Sequence, residues 1–189
     1  MQNLAKKMEQ PLIQPQAPSG EEDKVNEILG NIEKHLGFIP DGLRLYSLSP
    51  ALLETFVGNI AYFSMGGTNL PPSLTAMIRY IGSSQAGCSF CVDMNEGFLS
   101  NMGFDLDRVR AARNDPDAAP LDEKEKALLR LAIKSINTPE QVAMEDLDNA
   151  RTQGWTDQDI FDSVAQAANN RAFNFILRTF KVEHQGSFA

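Results

Sequence analysis

Two thiols sit three residues apart in the run Cys88-Ser89-Phe90-Cys91, and the chain has no other cysteine. Residues at i and i+3 of a helix share a face with Cβ atoms about 5–6 Å apart, from which a modest adjustment reaches disulfide distance. Gly87 breaks the chain just before the pair, so the dithiol stands at the start of a helix. There the unpaired N–H groups and the helix dipole favour the thiolate of the first cysteine, the form that attacks peroxides and disulfides. Cys88 is therefore expected to be the more acidic thiol. Plainer readings compete with this one. Zinc needs four ligands, and the remaining candidates, His35 and His184, are not spaced like those of a finger, so no metal is expected. Two inert buried cysteines can also fall at this spacing by chance. A thioredoxin-type site follows a strand in a βαβ context, which is missing here.

The elements that must position the dithiol read as helices throughout. Ser19 with Glu22 makes a capping-box signature, and Val25, Ile28, Leu29 and Ile32 recur at helical spacing until Gly37. After a turn around residues 38–42, Leu52, Leu53, Phe56, Val57 and Ile60 form the next stripe from about Ser49, ended by Gly66-Gly67. Pro71-Pro72 open a third helix with Leu74, Met77, Ile78 and Ile81, running to about Ala86. A fourth spans about Cys88 to Asn101, and a short one lies near Asp105 to Arg113. Asp122 caps a helix carrying Ala127, Leu128, Leu131 and Ala132, and Thr138-Pro139-Glu140-Gln141 signals another start, with Gly154 as its stop. Thr156 with Asp159 begins a last long helix through Ile160, Val164, Ala168, Ala172, Phe175 and Ile176 toward Phe180. No β-alternation of useful length occurs. The fold class is all-α, a bundle of about seven to eight helices, with residues 1–18 as a flexible, extended Gln- and Pro-rich arm and 19–189 as one domain.

At 189 residues and 42% hydrophobic, the chain can bury a real core. A net charge of −8 supplies no field that gathers phosphates, which argues against nucleic acid and anionic membrane as partners. Neither a signal-peptide pattern nor a run of about 20 apolar residues appears, so a cytoplasmic location is expected. In a reducing compartment a lone C-x-x-C reads as redox-active rather than as a structural disulfide.

Several segments together resemble a known family. Gly37-Phe38-Ile39-Pro40, Ser49-Pro50-Ala51-Leu52-Leu53, Leu70-Pro71-Pro72 and Gly87-Cys88-Ser89-Phe90-Cys91 look like the carboxymuconolactone decarboxylase family, on its alkylhydroperoxidase AhpD-like branch. The stretch from Leu121 to Glu183, with Asp159-Ile160 and Phe173-Asn174-Phe175, is similar to the second half of that branch's peroxidase-related members. The resemblance covers about residues 20 to 183. It implies an all-α homo-oligomer without a cofactor, acting on a small-molecule hydroperoxide or a disulfide/dithiol reductant. It also implies that Cys91 attacks peroxide and Cys88 resolves the disulfide, whereas the helix-dipole argument makes Cys88 the more acidic thiol. Both assignments stay open.

The departures from that branch bear on rate. The family's proton relay uses a glutamate twelve residues before the first cysteine and a histidine four after the second; those positions are Ala76 and Asn95. An amide cannot take or give a proton at neutral pH. Of the neighbours, Asp93 and Glu96 are rotated away from Cys91 on a helix, and Tyr80 shares a face with Ala76 but reads first as a core or interface aromatic. His35 reads as a helix C-terminal residue and His184 as tail. Phe56, Ile60, Phe63 and the Phe173–Phe175 region read equally as core or subunit interface. The readings are thus a thiol–disulfide oxidoreductase or weak alkylhydroperoxidase, and a degenerate member serving as a binding, assembly or redox-sensing module. Decarboxylase activity ranks last, because the C-x-x-C marks the peroxidase branch.

Overall fold

Helical periodicity in the sequence becomes nine α-helices among residues 11–182, which the computed structural model describes. They are α1 (Glu22–Leu36), α2 (Asp41–Leu45), α3 (Pro50–Ser64), α4 (Pro72–Ala86), α5 (Ser89–Asn101), α6 (Leu106–Ala111), α7 (Glu123–Asn137), α8 (Met144–Thr152) and α9 (Asp157–Thr179). Short 3₁₀ turns join several of them, and no strand occurs among the described residues. Among these helices, none is long and apolar enough to cross a membrane.

The central element is α4. Its Leu74, Met77, Ile78 and Ile81 are fully buried, and α5, α7 and α9 pack around it. Burying four such side chains contributes on the order of 1.5–3 kcal/mol each relative to exposure. One core gathers α4 with Leu128, Leu129 and Leu131 of α7 and Ile160 and Ala167 of α9. A second gathers Val25 and Leu29 of α1, Leu53 of α3, the two cysteines, and Phe173 and Leu177 of α9. The 23 residues of α9 therefore serve both cores, the first half against α4 and α7 and the second half against the dithiol.

The helix starts at α7 and α9 are the ones read from sequence. Asp122 accepts the Glu125 N–H at 2.7 Å, and Thr156 caps α9 with Asp159 reaching back to its N–H at 2.9 Å. Two other starts differ. Ser19 does not cap α1: Gly20 takes a left-handed φ of +88° and Glu21 N donates to Pro18 O, a turn that delays the helix and lets Glu22 accept the Gly20 N–H at 2.7 Å. Thr138 begins only a 3₁₀ turn, because Lys134 binds Asp146 at 2.6 Å and fixes the helix start further along, where Asp146 accepts the Ala143 N–H. The ninth helix, α2, lies where a turn was expected. Gly42 makes it fit, since a Cβ there would stand 2.7 Å from Phe173 Cζ.

Residues 11–18 are extended, but they touch the bundle. Leu12 N donates to Phe180 O at 2.9 Å, and Ile13 and Ala17 pack on the second core. The rest of the expected arm, and His184, lie outside the described residues.

Candidate redox site

Two residues, Gly87 and Cys88, separate the two helices that build the site. Gly87 closes α4 in the left-handed region (φ +69°), with Cys88 N donating back to Ser83 O at 3.0 Å. This leaves Cys88 extended at the N-cap of α5, one position before the helix proper rather than inside it. The chain doubles back on itself, and residues that mirror each other about Gly87 meet, Ser83 with Cys91 and Arg79 with Asn95, with Tyr80 meeting Glu96 beside them.

The sulfurs of Cys88 and Cys91 lie 2.9 Å apart as free thiols, with residue exposures of 3% and 1%. Their ionisation is split. Once Cys88 ionises, the Cys91 S–H donates to its thiolate, which draws the Cys88 pKa below that of an ordinary thiol. Burial opposes this, while the Cys91 backbone N–H and the Arg178 guanidinium assist and Asp93 opposes. That N–H makes no capping hydrogen bond in the strict sense but still adds its dipole. Cys91 goes the other way. Donation to Cys88 holds its proton, burial adds to the rise, and a hydrogen bond from Ser83 offsets part of it. The opposite directions make Cys88 the more acidic thiol, chiefly through its hydrogen bond with Cys91 rather than through its place at the helix start.

Each sulfur faces a different environment. Cys88 lines a polar cleft with Gly87, Ser89, Arg178, Lys181 and Val182, and Arg178 is held there by donating to Ala86 O at 2.5 Å. Cys91 faces inward to Ser83, whose Oγ lies 3.1 Å from Asn170 Nδ2 and about 3.2 Å from Asn174 Nδ2. These amides can orient the Ser83 hydroxyl but cannot carry a proton onward.

The residues singled out from sequence land as follows. Asn95 is fully buried; its Nδ2 donates to Cys91 O at 2.7 Å and its Oδ1 accepts from Arg79 Nε at 2.8 Å. Ala76 is fully buried in the core around α4, three and seven residues before Arg79 and Ser83, and so on their face of the helix. Tyr80 belongs to a separate group: its hydroxyl donates to Glu96 at 2.9 Å and accepts from Arg113 at 2.6 Å. Burial and Glu96 push the Tyr80 phenol up to about 12, so it supplies no proton acceptor. Glu96 is also bound by Arg110 at 2.5 Å, which accounts for its turning away from the thiols. His35 is exposed on the last turn of α1 with Nδ1 2.8 Å from Asn31 O, and Phe63 and Phe173 are core while Ile60 and Phe175 are exposed. Among the described residues, no group of three or more His, Cys, Asp and Glu could hold a metal ion.

Sequence reasoning missed Arg79, Ser83, Asn170, Asn174 and Arg178. For the first two a signal existed: a helix hairpin closing at Gly87 pairs residues by mirror position, which sets 79 and 83 opposite 95 and 91. The other three come from α9, some ninety residues away, and no local pattern marks them.

No protein-family model and no curated protein sequence matches the chain. Solved structures do match its fold. An uncharacterized peroxidase-related protein from Silicibacter sp. TM1040 is 18% identical, with 98% of this chain and 97% of that one covered and a TM-score of 0.85. A protein from Ralstonia eutropha JMP134 described as an alkylhydroperoxidase AhpD core and uncharacterized peroxidase-related protein is 20% identical, covers 95% and 96%, and has a TM-score of 0.79. The debrominase Bmp8, as a cysteine-to-alanine variant in complex with 2,3,4-tribromopyrrole, is 20% identical, covers 94% and 93%, and has a TM-score of 0.73.

Proposed function

With the AhpD-like fold of peroxidase-related proteins as the premise, we propose that the chain is a dithiol oxidoreductase in which Cys88 attacks and Cys91 resolves. The observation that carries this reading is the opposite ionisation of two free thiols 2.9 Å apart, with the acidic one opening on a cleft that holds Arg178. The Cys88 thiolate attacks the terminal oxygen of a hydroperoxide; the O–O bond breaks, the alcohol leaves with a proton, and Cys88 becomes a sulfenic acid. Cys91 then attacks that sulfur, and water departs as the disulfide forms. An external dithiol reduces the disulfide and restores both thiols. In exchange with a disulfide substrate the same attack gives a mixed disulfide, which Cys91 resolves while releasing the substrate as a thiol.

The order of attack is the reverse of that implied by the family resemblance, and it follows from where the negative charge is stabilised. Ser83 and the Cys91–Cys88 hydrogen bond stand in for part of the relay missing at Ala76 and Asn95, without supplying a base. Turnover of peroxide is accordingly slow. The exposed apolar side chains Leu52, Met65, Phe161 and Phe175 support a further reading that the chain assembles with copies of itself.

Mild oxidation of the reduced chain should produce a loss of two hydrogens within one chain, mapped to the peptide joining Cys88 and Cys91, and dithiothreitol should reverse it. Sulfonic acid or a disulfide between chains as the main product would exclude a paired redox site. The second reading, a binding or redox-sensing module, draws on Ala76 and Asn95 themselves, and it is favoured if the disulfide forms but no peroxide or disulfide is turned over.

A further inference from the structure

Behind the dithiol helix, α3, α4, α5 and α9, with Leu36, Pro40 and Leu43, line a partly open cavity of about 180 Å³. Its walls are mainly apolar, with Phe56, Phe63, Phe90, Met94, Phe98 and Phe173 contributing, and none of the described residues lining it is Asp or Glu. The charged group in this lining is Arg79. Its Nε donates to Asn95, but its two terminal nitrogens have no acceptor, and no carboxylate lies within ion-pair distance among the described residues. Four other arginines of α6, α9 and the segment after α6 differ. Arg110 and Arg113 each give a terminal nitrogen to Glu96, Arg171 to Asn137 and Arg178 to Ala86 O.

Arg79 is part-buried in a mainly apolar wall without a counter-charge, and cations in such surroundings are normally paired. Burial lowers the Arg79 pKa to about 10, the direction expected of a cation lacking an acid partner. Asn95 fixes the orientation: by taking Nε and anchoring itself to Cys91 O, it leaves both Nη groups of one edge for a ligand. A guanidinium presented in this way matches a carboxylate, which accepts two parallel charge-assisted hydrogen bonds. Amides of Gln166 and Asn169, from α9, also line the cavity for further polar contacts. The size limits the rest of the ligand, since a cavity of about 150 Å³ accommodates a benzene ring.

We propose that this cavity binds a small organic carboxylate, its head on Arg79 and its body, one ring or a short alkyl chain, among the phenylalanines. The cavity shares no lining residue with the cleft on which Cys88 opens, so this is a binding site distinct from the dithiol and its occupancy does not rest on the redox reading. Asn95 is a positioning residue in this account, and the position that serves the proton relay elsewhere instead aims a fixed cation.

Calorimetric titration of the reduced full-length chain with benzoate and octanoate, against the neutral benzamide and octanamide, tests it. The carboxylates should bind at least tenfold more tightly than their amides. Arg79→Met should erase that preference, and Arg79→Lys, which keeps the charge but not the fork, should reduce it several-fold; the lysine variant decides the matter if the methionine variant fails to fold. Asn95→Ala should also weaken carboxylate binding while leaving amide binding unchanged. Equal binding of acid and amide, a preference that survives in both Arg79 variants, or a dimer that takes up no carboxylate because a second copy fills the cavity would each overturn the proposal. Because Cys88→Ser should leave carboxylate binding intact, an inert dithiol with normal binding would sink the redox reading alone.

Discussion

Replacing Cys88 by serine should lower hydroperoxide and disulfide turnover by about 10³-fold or more, because the activated nucleophile is removed and the remaining thiol is held protonated. The structure makes the two cysteines unequal in a way that predicts unequal variants. In Cys88→Ser, Cys91 stays buried against Ser83, and a serine hydroxyl supplies no anion to be exchanged. In Cys91→Ser, the new hydroxyl can still donate to the Cys88 thiolate, so the first attack survives while resolution is lost. That variant should consume one equivalent of tert-butyl hydroperoxide per chain and then stop, with Cys88 as a sulfenic acid that a trapping reagent captures. The family resemblance implies the opposite assignment, so a single-turnover burst in Cys88→Ser, with none in Cys91→Ser, would transfer the attacking role to Cys91.

The second large effect should come from rebuilding the proton relay. General acid–base help is typically worth roughly 10²–10⁴-fold, and the double variant Ala76→Glu, Asn95→His should recover a gain of that order in peroxide reduction. Residue 95 bonds the Cys91 carbonyl, and residue 76 shares a helix face with Arg79 and Ser83, which both meet α5. A glutamate at 76 would be buried, but Arg79, one turn on, lacks a counter-charge and can neutralise it. Each single variant should gain less, because Ala76→Glu alone has no imidazole to orient and Asn95→His alone has no carboxylate to hold its tautomer. Steady-state reduction of hydroperoxide with a dithiol donor checks this across native, single and double forms. A native rate already equal to that of the double variant would mean that Ser83 and its amides do the work of the relay. No gain in a double variant that still forms the disulfide would favour the binding-module reading.

The fold was legible because long amphipathic stripes have one good solution. Leu74, Met77, Ile78 and Ile81 on one helix, opened by Pro71-Pro72 and closed by Gly87, leave little choice, and all four are buried as the spacing requires. Where the sequence misled, local signals were overruled by neighbours. Gly20 and Pro18 formed their own turn and displaced Ser19 from the cap, and Lys134 selected Asp146 over Thr138 as the start of α8. α2 was missed because five residues are too few to show a period, and Gly42, which suggested a turn, was required by the ring of Phe173.

For the site, covalent spacing could be read and tertiary selection could not. Cys88, Cys91 and Asn95 lie within eight residues, so their mutual reach follows from helix geometry. The likeness to a relay-bearing family also pointed to Ala76, yet gave no sign that Arg79, three residues on, turns toward Asn95 in this chain. Tyr80, read first as a core or interface aromatic, is fully buried in the first core, and its pairing with Glu96 and Arg113 holds its hydroxyl. Arg178, which favours the Cys88 thiolate, is brought by the far end of α9 and has no counterpart in local sequence.

The split ionisation of the dithiol is the claim on which the redox reading stands, and the pH dependence of alkylation in the intact reduced chain measures it directly. Iodoacetamide labelling at a series of pH values, with each cysteine's rate followed by peptide mass, reports the thiolate fraction of each. Labelling of Cys88 should rise with pH to a midpoint below the ordinary thiol value near 8.5 and level off above it, while Cys91 stays unlabelled across the same range. Labelling of Cys91 ahead of Cys88, or of both together at the ordinary value, would contradict the account.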